Sequence, residues 1–188
     1  APIKTQHKYK KQSGGKGQYG EVYFEVKPLP RGRGIEFSND VVGGAIPKNY
    51  IPAVEKGLMG ALEKGIISGY PVTDILVSVY DGSYHDVDSS ELAFKMASSM
   101  CIKKAVLGTK SCILEPIMKA VIDVPDEYMG DITGNINSKR GRVLGIEAKV
   151  GGQRITASIP EAEMLSYSTE LRSMTSGRGS YTMELLGY

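Results

Sequence analysis

Residues 15–27, "GKGQYGEVYFEVK", admit two opposite readings, and the choice between them decides the fold. Gly15, Gly17 and Gly20 satisfy G-x-G-x-x-G, the spacing that joins a strand to a helix in dinucleotide-binding units. Such a loop must open a helix, because the free N–H groups of the first turn are what hold the phosphates. Here Val22, Phe24 and Val26 alternate instead with Glu21, Tyr23, Glu25 and Lys27, which is the period of a half-buried strand. The dinucleotide reading is therefore rejected. Upstream, residues 5–12 ("TQHKYKKQ") are extended and polar, so the two runs read as a hairpin with "SGGKGQ" (13–18) projecting from its end.

Charge is unevenly placed around that tip. Lys4, Lys8, Lys10, Lys11 and Lys16 put five of the 23 basic residues, and none of the 21 acidic ones, into the first twenty positions of a chain with net charge +2. A local cationic field beside a glycine loop suits a phosphate backbone. With 188 residues and 41% hydrophobic content the chain can bury one large core or two smaller ones, and two domains are expected. No apolar run approaches the roughly 18 residues of a membrane span, and the start "APIKTQHKYKK" lacks the apolar stretch of a secretory signal, so a cytoplasmic protein is expected. Cys101 and Cys112 are too few for a disulfide framework and read as reduced, mostly buried side chains.

Beyond the hairpin, "RGRGIEFSNDVVGG" reads as turn, short strand, turn. Residues 46–65 place Ile51, Val54, Leu58, Ala61 and Leu62 at helical spacing, with Pro52 in the first turn and Gly65 as the stop. A strand follows with Thr73, Ile75, Val77 and Val79 on one face, ending in the polar loop "DGSYHDVD" (81–88). Asp88 and Glu91 have capping-box spacing before a helix whose core face is expected to be Leu92, Met96, Met100 and Lys103.

The remaining residues repeat a simpler order. Met118, Ala120, Ile122 and Val124 mark a strand; Met129, Ile132 and Ile136 mark a helix; Leu144, Ile146, Ala148 and Val150 face Ile155, Ala157 and Ile159 across a Gly151-Gly152 hairpin. A helix with Met164, Tyr167, Leu171 and Met174 and a closing strand complete β-α-β-β-α-β, the ferredoxin-like arrangement. The fold class is thus α+β in two domains, residues 1–112 and 113–188.

No catalytic constellation emerges. There is no G-x-x-x-x-G-K-[ST], His7 and His85 are the only histidines, and the spacing of Asp81, His85, Asp86 and Asp88 matches no calcium loop. The chain is read as non-enzymatic and without a metal or cofactor of its own. Two polar tips remain, the glycine loop with Lys16 and Gln18 and the loop around His85, whose mobile charge and hydrogen-bonding groups suit RNA better than duplex DNA.

"QSGGKGQYG", "IPKNYIPAVEKG", "GYPV", "DGSYHDVDSSELAFK", "LEPIMK", "GDITGNINSKRG" and "LRSMTSGRGSYTME" resemble segments of bacterial elongation factor G, from about Lys8 to Tyr188. The resemblance is to its fourth and fifth domains. It implies a first domain folded like the second domain of a small-subunit ribosomal protein, with a left-handed βαβ crossover, and a ferredoxin-like second domain. It further implies a ribosome-binding part of a translational GTPase, with GTP and Mg belonging to a GTPase domain elsewhere. In the family the tip enters the decoding region and meets transfer RNA and messenger RNA, which maps onto Ser13, Gly14, Gly15, Lys16, Gly17, Gln18, His85, Asp86, Val87 and Asp88. His85 matches the position of the modified histidine of the related eukaryotic factor, and Lys16 stands where the family commonly has arginine. Arg172, Ser173, Arg178 and Ser180 are implied contacts to large-subunit RNA near the stalk base. A monomer away from membranes is expected. The alternative is an elongation-factor-G-like paralogue acting in recycling, rescue or specialised translocation, to which "PLPRGRGIEF", "DEYMGDITGNINSKRG" and the Gly-Gly hairpin bear some likeness.

Overall fold

In a computed structural model, which describes residues 2–12 and 14–188, the alternating run after the glycines is strand β2 (Gln18–Pro28). It pairs antiparallel with β1 (Ile3–Lys11), from Ile3 opposite Val26 to Lys11 opposite Gln18, which leaves the glycine segment at the hairpin tip. Strand β2 also pairs antiparallel with β4 (Ile75–Ser83), and β3 (Ile35–Asn39) lies parallel to β4, giving the order β1-β2-β4-β3. Parallel neighbours need a crossover. Helix α1 (Ile51–Lys64) supplies it, with Pro52 in its first turn and Gly65 at its C-cap in the left-handed half of backbone space (φ 81°).

Helix α2 (Glu91–Leu107) packs across β1 and β2, and α1 packs on α2. Val22, Phe24, Val77 and Val79 from the sheet, Val54, Leu58 and Leu62 from α1, and Phe94 and Ile102 from α2 meet in one core. Burying each such large side chain stabilises the fold by about 1.5–3 kcal/mol. The face of α2 differs from the sequence expectation. Leu92 and Met100 are 54% and 36% exposed, whereas Ala93, Phe94, Ala97, Ser98, Cys101, Ile102, Ala105 and Val106 are buried. Lying between a sheet and a second helix, α2 buries small residues on two sides, so no single apolar stripe marks its inner face. Close approach is explicit at Gly20, where a Cβ would lie 3.1 Å from the Ala93 carbonyl carbon.

The chain forms two compact units, Ala1–Cys112 and Ile113–Tyr188. In the second unit β5 (Ile117–Val124), α3 (Met129–Ser138), β6 (Arg142–Lys149), β7 (Gly152–Pro160), α4 (Tyr167–Met174) and β8 (Ser180–Gly187) build an all-antiparallel sheet of order β6-β7-β5-β8. This is the ferredoxin-like βαββαβ unit. Its core holds Ala120, Ile122 and Val124 of β5, Ile155, Ala157 and Ile159 of β7, Ile132 and Ile136 of α3, and Tyr167 and Leu171 of α4.

Strand β6 departs from strict alternation. A bulge between Val143 and Gly145 sets Val143 opposite Ala157 and Ile146 opposite Ile155, so Leu144 drops out of the inward set; Ile146 and Ala148 are exposed at this edge, and Val150 sits fully exposed beyond the strand. Edge strands tolerate such bulges because one of their sides has no ladder to break. Met129 is also more exposed than its helical spacing suggests, at 37%.

Cys101 is buried, with its sulfur 3.7 Å from the Val22 carbonyl oxygen, and burial pushes its thiol up to about 11. Cys112 is exposed, contrary to expectation, because it lies past α2 where no element covers it. Among the described residues, no helix is long and apolar enough to cross a membrane.

Candidate functional site

The tip of the first unit is built from two chain segments far apart in sequence. The turn of the β1–β2 hairpin supplies Gly14 to Gly17, and the link between β4 and α2 supplies Tyr84 to Ser90. Ser13 lies outside the described residues. Gly14 adopts φ +51°, a left-handed conformation that glycine enters at no steric cost, and a Cβ there would meet nothing within 4 Å. Gly17 is glycine for a different reason. A Cβ on it would fall 2.8 Å from Asp88 Oδ2 and 2.9 Å from Asp88 Cγ. Of the three glycines of the dinucleotide-like pattern, Gly17 and Gly20 thus answer to close packing, against Asp88 and the Ala93 backbone respectively.

Asp88 is where the two loops join. Gly17 N–H donates to Asp88 Oδ1 at 3.1 Å, and Tyr19 N–H donates to the Asp88 carbonyl at 2.9 Å. The expected capping role of Asp88 is corrected. Ser90 is the N-cap of α2, accepting from Ala93 N–H, because the chain turns inward two residues later than capping-box spacing suggests. Ser89, buried at 8% exposure, completes the junction. Its hydroxyl accepts from His85 N–H and donates to the Tyr19 carbonyl, both at 2.9 Å, while its own N–H donates to the His85 carbonyl at 3.0 Å.

His85 is exposed, and its Nδ1 accepts from the N–H groups of Val87 and Asp88, each at 3.3 Å. Asp88 Oδ2 lies 3.8 Å from that nitrogen, beyond hydrogen-bond reach. The Tyr19 ring is tilted against the imidazole at 6.4 Å between centroids. Gly14, Gly15, Lys16, Asp86 and Val87 are exposed. Gln18 is half-buried, and its side-chain oxygen is already taken by the Tyr9 hydroxyl at 3.2 Å.

Lys10, Lys11 and Gln12 at the end of β1, with Gln18, Tyr19, His85 and Asp88, line a groove of about 210 Å³. Of these, the two lysines were legible as the basic root of the loop. Tyr19 and Ser89 were not, since nothing local marks a hydroxyl that ties two loops seventy residues apart (|i−j| = 70). Among the described residues, no group of three or more His, Cys, Asp or Glu is placed to hold a metal ion. The arrangement offers backbone donors, one imidazole, cationic side chains and glycine surface; it suits recognition of an anionic, hydrogen-bonding partner.

In the second unit, Arg172 and Ser173 are exposed on α4, and Ser180 is exposed at the start of β8. Arg178 is engaged within its own unit. Its guanidinium pairs with Glu127, donates to the Tyr128 hydroxyl at 2.5 Å and sits 5.0 Å from that ring's centroid. The four do not form one cluster of free donors.

Residues 1–110 match the family model described as elongation factor G, domain IV, and residues 112–188 match that described as elongation factor G C-terminus. A crystal structure of a protein from Thermus thermophilus superposes with a TM-score of 0.84 at 40% identity. The match covers 98% of this chain and 27% of that one, so the present chain spans about a quarter of that protein's length.

Proposed function

This chain belongs to the elongation factor G family, and from that premise we propose that it is the non-catalytic, ribosome-engaging part of a translational GTPase that drives movement of transfer RNA and messenger RNA. In this reading GTP and Mg are bound by a separate GTPase domain. The first unit inserts its tip into the small-subunit decoding region, and the second lies against large-subunit RNA near the stalk base, with Arg172 and Ser173 as its contacts. Arg178, held by Glu127 and Tyr128, would contact RNA only by sharing or exchanging that pairing.

The observation that carries the reading is the joining of the glycine loop to the His85 loop through Asp88 and Ser89. A prong that pushes against RNA must keep its shape, and three hydrogen bonds between the segments give it one (Gly17 to Asp88, Tyr19 to Asp88, Ser89 to Tyr19). Exposed Lys10, Lys11 and Lys16 supply a salt-sensitive attraction to phosphates, and the small glycine surface lets the backbone approach a groove closely. Lys16 does so as a point charge without the planar fork of arginine.

The test is single-turnover translocation, with GTP hydrolysis measured in parallel, in a full-length elongation factor G carrying this chain as its last two domains. Gly17→Val and His85→Ala are expected to slow movement while leaving ribosome-stimulated hydrolysis nearly unchanged. Equal losses in both rates would refute the division of labour. Hydrolysis without movement in the unmutated protein would favour the recycling or rescue paralogue.

A further inference from the structure

Asp88 and His85 are both candidates for direct RNA contact, yet the geometry separates their roles. One acceptor on each of the two side chains is already engaged by backbone. Asp88 Oδ1 takes the Gly17 N–H, and His85 Nδ1 takes the N–H groups of Val87 and Asp88. A neutral imidazole has one acceptor nitrogen and one donor nitrogen. With two backbone donors converging on Nδ1 at 3.3 Å and the carboxylate at 3.8 Å, the proton belongs on Nε2. That nitrogen is on the ring edge away from the backbone, and the His85 side chain is 57% exposed.

We propose that Asp88 is a positioning residue, which fastens the His85 loop to the glycine loop and so presents His85 Nε2–H as a single outward donor to an acceptor oxygen of RNA. The proposal rests on the ribosomal reading above for the identity of the partner; the loop geometry stands by itself. A bare carboxylate facing RNA would repel phosphates. Here the Asp88 charge is instead turned against a backbone N–H and held at 27% side-chain exposure. The absence of a side chain at Gly17 is what lets the carboxylate reach that N–H. Lys10 and Lys11, which line the same groove, supply charge attraction, and the imidazole contributes direction.

Long-range ¹⁵N spectra of the histidines in the 188-residue chain, well above the ordinary histidine pKa of about 6.5, report which ring nitrogen carries the proton. A single Nε2–H form is expected for His85. Asp88→Asn, which keeps an acceptor oxygen for Gly17, should retain it, and Asp88→Ala should give a mixture of tautomers. An Nδ1–H form in the unmutated chain, or Asp88→Asn behaving like Asp88→Ala, would overturn the positioning role.

The donor role is read in the full-length factor. The amide nitrogen of glutamine falls near the place of Nε2, and that of asparagine near Nδ1. His85→Gln should keep most of the translocation rate, while His85→Asn should fall with His85→Ala by about fivefold, the rate equivalent of one neutral hydrogen bond. Equal losses for Gln and Asn would overturn it. Messenger RNA with 2′-deoxy sugars in the codon separates the acceptors: a His85 dependence that vanishes identifies the codon ribose oxygen, and one that survives excludes it. A factor that moves no RNA at all, with the tautomer as expected, would overturn the translocation reading and leave the loop geometry standing.

Discussion

Gly57→Ala should destabilise the first unit although the same change usually stabilises a helix. In a helix interior alanine is favoured over glycine by about 0.5–1 kcal/mol. Helix α1 supplies its own control. Gly60, one turn on, is exposed and a Cβ there would meet nothing within 4 Å, so Gly60→Ala should yield that gain. At Gly57 a Cβ would stand 2.9 Å from Lys95 Cα and closer still to the Lys95 carbonyl oxygen. These are backbone atoms of α2, which cannot rotate aside, and α2 is itself seated on β1 and β2. Overpacking of this kind costs about 1–3 kcal/mol, so the net change should be a loss of up to about 2 kcal/mol. For a unit of this size each kcal/mol moves the midpoint by about 4–8 °C. Thermal and urea unfolding of the two variants, followed by circular dichroism, should therefore shift in opposite directions. A Gly57→Ala midpoint raised as far as that of Gly60→Ala would refute the close approach of the two helices.

The tip offers a thermodynamic cycle: Gly17→Ala should cost about 1 kcal/mol in the native chain, through the displaced carboxylate and its hydrogen bond, and nearly nothing once Asp88→Ala has been made. Additive costs in urea unfolding would contradict the contact. Cys112 should react with a thiol reagent at pH 8 in the native state while Cys101 is protected until the unit unfolds, since burial holds its thiol at about 11; equal labelling rates would contradict its burial. In the second unit, Asp123 accepts from Arg154 at 2.8 Å and from Lys149 at 2.9 Å, the Arg154 guanidinium foremost in holding its carboxyl well below the usual range. The depressed carboxyl favours folding above its ordinary pKa of about 4, and that contribution is lost as pH falls through the folded-state value. Asp123→Asn should accordingly flatten the acid limb of stability against pH in that unit, and an unchanged limb would contradict the pairing.

Much of the fold could be read locally. Period-two runs at Val22–Val26, Met118–Val124 and Ile155–Ile159 became strands with those residues inside, and α1 kept its apolar stripe, its early Pro52 and its Gly65 stop. These elements bury one face each, so their pattern carries the face in the residue types themselves. Where burial is two-sided or absent the pattern misleads. Helix α2 hides alanine, serine and cysteine between a sheet and a helix, and its more conspicuous Leu92 and Met100 remain exposed. Strand β6, at a sheet edge, shifts its alternation by a bulge that no residue type announces.

The candidate site divides along the same line. The glycines, the lysine-rich root and the polar loop at His85 were visible as composition and punctuation, and likeness to a family gave them a role. Asp88 was assigned to the nearest helix because a chain read in order offers only near neighbours. Its partner, Gly17, lies 71 residues away, and Ser89 reaches Tyr19 over 70. Sequence by itself determined which segments would be strands, helices and glycine-rich or polar tips, since those choices follow from side-chain periodicity and backbone freedom over a few residues. Only the tertiary structure decided which tip touches which, because pairing β2 with β4 brings two loop ends together and leaves one carboxylate to satisfy a backbone N–H that the sequence never places beside it.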